Sequence, residues 1–136
     1  MHALGLDTRS MATISDDKDE IRELIARYCH AFDDGDVPTW IACYRADGEL
    51  VGAGQPLKGR EALGEYLAGQ PPNDYHRLTA NFVIDVDGDA ARCRSSVVIL
   101  SGGAIISSGR VDDQLERIDG RWQIARRNYT SDATTS

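Results

Sequence analysis

Histidine is scarce in this chain, three in 136 residues, and positive charge is in deficit, with a net charge of −7. That balance argues against the clustered basic face that nucleic acid requires. Arg92, Arg94, Arg126 and Arg127 are the one local concentration worth checking, and they read as solvated strand faces. No apolar run approaches the ~18 residues of a membrane span. The N-terminal segment also lacks the charged-then-apolar order of a secretory signal. Cys29, Cys43 and Cys93 are odd in number, widely separated and without C-x-x-C spacing, which excludes a disulfide framework and a zinc site. They read as buried free thiols in a reducing cytoplasm. No phosphate-binding glycine loop, metal cluster or nucleophile elbow is present, so no cofactor and no covalent catalysis is expected.

What is present is enough for one domain, since a chain of this length with 41% hydrophobic residues can bury a single core. Residues 15–130 are expected to form it, between an N-terminal arm over 1–14 and a polar tail over 131–136. Ser15 and Asp16 read as N-caps of a first helix whose Ile21, Leu24, Ile25, Tyr28 and Phe32 follow a 3.6-residue spacing. Asp36 and Pro38 open a short second helix with Trp40 on its apolar stripe. A short strand over 48–53 and a third helix over 59–68 follow. From His76 onward the pattern is extended: 76–86, 90–101, 104–118 and 121–129, separated by Gly-containing turns. Helices followed by a meander of long strands predict an α+β fold, a curled, mostly antiparallel sheet forming a cone with the helices in its concave side.

The order of elements carries a resemblance. The spacing Y-x4-D-x-G-D-x3-W-x3-Y from Tyr28 to Tyr44 is followed by Asp47-Gly48 and then by K-G-R-E from Lys58 to Glu61. V-D-G-D-x-A from Val86, G-R-V-x-D from Gly109 and D-G-R-W-x-I-x-R from Asp119 complete it. Together they closely resemble the SnoaL-like group of the nuclear-transport-factor-two-like superfamily, over about residues 17–129. The resemblance is specific for fold and weak for reaction, because dehydratases, isomerases, epoxide hydrolases and non-catalytic proteins share this frame.

His76 raises the chemical question. If residues 76–86 alternate strictly, it lines up with Leu78, Ala80, Phe82 and Ile84 on the apolar face, where an imidazole needs a hydrogen-bond partner. The resemblance implies one: in scytalone dehydratase and the related dehydrochlorinase, an aspartate ending the first helix orients a histidine base at the start of a long strand. Asp33 and His76 match those positions. A carboxylate on one ring nitrogen would fix the tautomer and raise the basicity of the other. A structural hydrogen bond is the competing reading. His76 and Asn81 are five apart, where relatives place histidine four residues before asparagine. Strict alternation puts Asn81 outside with Arg77 and Thr79 unless a β-bulge restores it, and a strand registered on Asn81 would put Arg77 in the place of His76. Phe32 stands where scytalone dehydratase has tyrosine, and no second histidine lies between Arg92 and Ser101, so scytalone itself is not the expected substrate.

Asp113 shares a face with Ile105, Val111 and Leu115 and is a candidate pocket acid or a structural partner for an arginine. Tyr28, Trp40, Phe82, Val98, Asn81 and Asp113 are the expected substrate contacts, suited to an apolar or aromatic small molecule. The first functional expectation is a cofactor-independent dehydratase- or isomerase-like lyase with Asp33 and His76 catalytic. The second is a non-catalytic small-molecule-binding or association module. A homodimer through the convex sheet face is expected, with no nucleic-acid or membrane partner.

Overall fold

The computed structural model describes residues 2–132, with side chains described from Ile14 onward. Its elements are α1 (His2–Asp34), α2 (Val37–Ala42), β1 (Tyr44–Val51), β2 (Leu57–Lys58), α3 (Arg60–Ala68), β3 (His76–Asp87), β4 (Ala90–Ser101), β5 (Ala104–Ile118) and β6 (Arg121–Ser131). The four long strands thus match the extended segments of the sequence closely. The helical start does not match, because Ser15 and Asp16 lie within α1 rather than capping it. Apart from Ile14, the expected arm has no described side chains, and residues 133–136 of the tail lie outside the described residues.

The strand order is β2-β1-β6-β5-β4-β3, with β1 parallel to β6 and the remaining pairs antiparallel. With β2 and β3 as free edges the sheet is curled but not closed, and the helices cover its concave side. Ile21, Leu24, Ile25 and Tyr28 recur at helical spacing along α1 and are all buried, joined in the core by Leu63 and Leu67 of α3 and by Ile84, Leu115, Trp122 and Ile124 from the sheet. Each such aliphatic side chain contributes about 1.5–3 kcal/mol. Asp36 caps α2 as its position before Pro38 suggests, accepting from the Thr39 N–H. Trp40 projects from that helix into an aromatic cluster with Tyr28, Phe32, Tyr44 and Tyr66.

Three irregularities decide which side chains face inward. Ala80 pairs with Ser96 and Val83 with Arg94, so Asn81 and Phe82 together oppose Ser95. Ile99 pairs with Ser107 but Leu100 with Ile105, leaving Ile106 as an extra residue. Gln114 pairs with Arg126 and Leu115 with Ile124, leaving Ala125 extra. Each inserted residue reverses the inside–outside order beyond it. Asn81 adopts a φ of 58°, a left-handed conformation that asparagine tolerates better than most residues. Ile105 consequently leaves the Asp113 face that strict alternation assigned to it and is 66% exposed.

Polar contacts pin α1 against the sheet. Asp17, buried despite its charge, accepts from Arg117 Nη1 at 2.7 Å and from the Trp122 indole N–H at 2.9 Å, while Glu20 accepts the Trp122 backbone N–H. Asp17→Ala leaves that buried indole donor without its acceptor, so a loss of about 1–3 kcal/mol is expected. Urea denaturation should show a lowered midpoint, with Asp17→Asn, which keeps an acceptor oxygen, losing less.

Candidate functional site

The concave side encloses a chamber of about 330 Å³. Tyr28 and Phe32 reach it from α1, Val97 and Ile99 from β4, Val111 from β5 and Tyr129 from β6, and these supply its apolar wall. Beyond them a wider mouth lies between the 69–75 loop and the start of β5 and shares Phe32, Arg77, Ile99 and Ser107 with the chamber. Glycine is required where β1 meets β6 at the rim: a Cβ on Gly52 would lie 1.9 Å from the Tyr129 carbonyl oxygen.

The Asn81 bulge settles the question raised by His76, and it corrects the expected catalytic pair. His76 is exposed, on the outer face with Leu78 and Ala80, while Arg77 and Thr79 turn inward. Asp33 is bonded to Arg77: the Arg77 backbone N–H donates to Oδ2 at 2.9 Å and Nη1 donates to Oδ1 at 2.5 Å. The guanidinium also lies 4.2 Å from the centroid of the Phe32 ring. Arg77 therefore occupies the place expected for the imidazole, and Asp33 neutralises a cation there.

The other expected contacts divide. Tyr28 lines the chamber. Trp40 is fully buried behind it, supporting the rings of Tyr28 and Phe32 instead of facing the cavity. Phe82 is half-buried against the core and is not a chamber residue. Val98 pairs with outward-facing Leu78, so its neighbours Val97 and Ile99 take the inner positions expected of it. Asn81, displaced by its own bulge, is exposed and borders a groove with Arg94 and Arg110 on the outer face. Asp113 does face inward, fully buried, but behind Arg127 rather than on the chamber wall.

Arg127, read from the sequence as part of a solvated strand face, is instead buried at 4% exposure. Counting alternately from Trp122 and Ile124 would place Arg126 inside, whereas the extra Ala125 exchanges the two arginines. The outcome is a buried guanidinium whose Nε lies 3.4 Å from Asp113 Oδ1 and whose plane sits 4.1 Å from the centroid of the Tyr28 ring. Burial opposes its charge, yet Asp113, Tyr28 and Tyr44 hold its pKa above the ordinary arginine value. Tyr28 and Tyr44 share a buried 2.8 Å hydrogen bond between their hydroxyls, and burial raises the pKa of both. The buried thiols of Cys43 and Cys93 are pushed up to about 11 and about 12, which keeps them protonated and poor nucleophiles.

Residues 13–128 match the family model of the SnoaL-like domain. Among solved structures, a protein of unknown function from Mycobacterium tuberculosis is 33% identical, with 85% of this chain and 76% of that one covered and a TM-score of 0.74. A protein of unknown function with a cystatin-like fold from Nostoc punctiforme is 28% identical over 87% of this chain and 92% of its own, with a TM-score of 0.82. An NTF2-like protein with a cystatin-like fold from Novosphingobium aromaticivorans, 24% identical over 96% of this chain and 92% of its own, superposes with a TM-score of 0.86. No curated protein matches the chain.

Asp113 supplies a pH dependence. Its burial outweighs the attraction of Arg127 and raises the carboxyl to about 6, above its ordinary value of 3.8. A carboxyl raised in the folded state binds its proton more tightly there than in the unfolded chain. Its contribution to stability is therefore fullest below about pH 4 and declines as pH rises to about 6. Urea midpoints measured across that interval should fall with pH, and Asp113→Asn should remove this part of the slope.

Proposed function

The chain belongs to the SnoaL-like domain family, and on that frame we propose that the cone is a binding chamber for a small apolar or aromatic molecule, without a base of its own in contact with that ligand. One observation carries this reading: among the described residues lining the chamber, none is a carboxylate, an imidazole or an amine, and the charged groups are both arginines. A dehydratase or isomerase of the kind first expected needs a base within about 2.6–3.2 Å, or one water, of the proton it removes. His76 faces away, and Asp33 is engaged by two donors from Arg77. The arrangement favours holding a ligand: apolar walls remove its body from water, and Tyr28 and the two arginines orient its polar end. No helix among the described residues is long and apolar enough to cross a membrane. The three buried free thiols support placing the protein in a reducing cytoplasm.

The test is calorimetric titration with naphthamide, a neutral two-ring probe. Binding is expected, with an affinity at least tenfold weaker in Val111→Trp, whose indole fills the chamber, and unchanged within about twofold in His76→Ala. Circular dichroism would check the fold of Val111→Trp, since overpacking costs about 1–3 kcal/mol. Undiminished binding to a folded Val111→Trp would place the probe outside the cone and reject the reading.

We also propose a two-fold dimer through the outer sheet face. Leu78, Val83 and Ile105 are 53%, 48% and 66% exposed, and Leu78 and Val98 are directly paired there. Burying such side chains against a second copy is worth about 1.5–3 kcal/mol each, and a closed two-fold pairing satisfies both copies. Sedimentation equilibrium at micromolar concentration should give twice the 14.9 kDa chain mass, falling to the chain mass in a Leu78→Asp, Ile105→Asp double variant. A single species of chain mass in the unaltered protein would reject the dimer.

A further inference from the structure

We propose, resting on the reading of the cone as a ligand chamber, that its ligand is an anion, an apolar ring system bearing one carboxylate that Arg127 receives, and that Asp113 takes up a proton as the anion binds.

A guanidinium presents five N–H groups in a fixed plane. In Arg127 one face of that plane is covered by the Tyr28 ring, and the Nε edge is turned to Asp113 at 3.4 Å, in an ion pair without hydrogen-bond geometry. Nη1 is buried and has no hydrogen-bond partner among the described residues, although the residue lines the chamber and is only 4% exposed. A buried charged donor left without an acceptor is costly, and a carboxylate is the acceptor whose planar, two-oxygen geometry fits a guanidinium edge. Arg77 is the only other cation on the chamber wall among the described residues, and Asp33 already accepts from its Nη1 and its backbone N–H. Arg127 is the guanidinium with capacity to spare. The rest of the wall is aliphatic and aromatic, so the ligand's body is apolar and the chamber accommodates about one or two rings.

The proton follows from what surrounds Asp113. Arg127 faces it from β6, Cys93 from the paired position on β4, and Tyr28 and Tyr44 interact with it from α1 and β1. Its sequence neighbour Asp112 is held on the outer face by Arg92, and Cys29 of α1 interacts with Arg127. Neither Asp113 oxygen has a hydrogen-bond partner among the described residues, so one cation alone holds the carboxylate in its charged form. A second anion on the far side of that cation competes for the same charge. The carboxyl, already raised to about 6, then binds a proton from solution. The thiol and phenols around it are protonated throughout the neutral range, which leaves Asp113 to accept that proton.

The experiment compares naphthoate with naphthamide, which have the same shape and differ in charge, by isothermal titration of the whole chain. Naphthoate should bind at least tenfold more tightly at pH 6, and the preference should vanish in Arg127→Met. Between pH 6 and 8 the naphthoate affinity should fall by up to about tenfold per unit. Titrations in phosphate and in Tris at pH 7.5 should report uptake of close to one proton. Asp113→Asn should keep the preference and lose the pH dependence, and it carries the test if Arg127→Met does not fold. Equal binding of the two probes would overturn the inference and leave the chamber reading intact, whereas binding of neither would remove both. A preference that survives in Arg127→Met would place the anion elsewhere. A flat pH profile would overturn the role of Asp113.

Discussion

A β-strand gives each side chain one of two faces, and a single inserted residue reverses the choice for everything beyond it. The interior of this cone depends on that constraint at two places. The bulge at Asn81 turns Arg77 inward and His76 outward, and the bulge at Ala125 turns Arg127 inward and Arg126 outward. Both insertions lie in strands that flank the chamber, and both exchange a neighbouring pair of polar residues. The chemistry of the wall is thus set by register more than by composition.

Once two guanidinium groups face inward, their neutralisation shapes the remaining architecture. Asp33 reaches Arg77 from the C-terminal end of α1, where the chain leaves for α2, and so ties helix to strand at the mouth of the cone. Asp113 meets Arg127 from the adjacent strand, since the two are direct cross-strand partners. These pairs differ physically. The Asp33 pair has two good hydrogen bonds and some solvent, whereas the Asp113 pair is almost wholly buried and lacks hydrogen-bond geometry. Desolvating two ions for so loose a contact is a poor way to stabilise a fold, so the inner pair is better understood as a poised binding group than as a structural strut. The aromatic cluster of Tyr28, Trp40 and Tyr44 behind it supplies the rigid apolar setting in which a single charge has a large effect.

The sequence revealed the frame and concealed the site, for one physical reason. Helical periodicity in Ile21, Leu24, Ile25 and Tyr28 and Gly-marked turns at 88, 102–103 and 120 report local preferences, which a sequence states directly. The four long strands therefore fell within two residues of their observed ends. Bulges are settled by pairing with a partner strand. Asn81 carried a hint, as a residue tolerant of positive φ and standing one place out of its expected spacing from His76, and the alternative with Arg77 inside followed from it. Ala125 carried none, so Arg127 looked like a solvent-facing neighbour of Arg126. Ile105 was misassigned by the same parity error at the Ile106 bulge, whereas Val98 lies on the regular strand β4, where alternation with buried Cys93, Ser95 and Val97 already turns it outward. Trp40 was correctly read as inward but is too deep to touch a ligand, a distinction of layer that periodicity does not encode.

Strand parity is also the reason that this frame predicts so little about reaction. A chain that turns a histidine inward at the start of this long strand and a chain that turns an arginine inward there need differ by only one inserted residue, with helix order, sheet order and core unchanged. Such a change replaces a proton acceptor near neutral pH with a permanent cation. It turns an aspartate at the helix end from the orienter of a base into the counter-ion of a guanidinium. Similarity of fold measures what the bulge leaves alone. The function of this chain is therefore to be argued from the face that each strand presents, and here that face offers arginine, tyrosine and apolar side chains to whatever enters the cone.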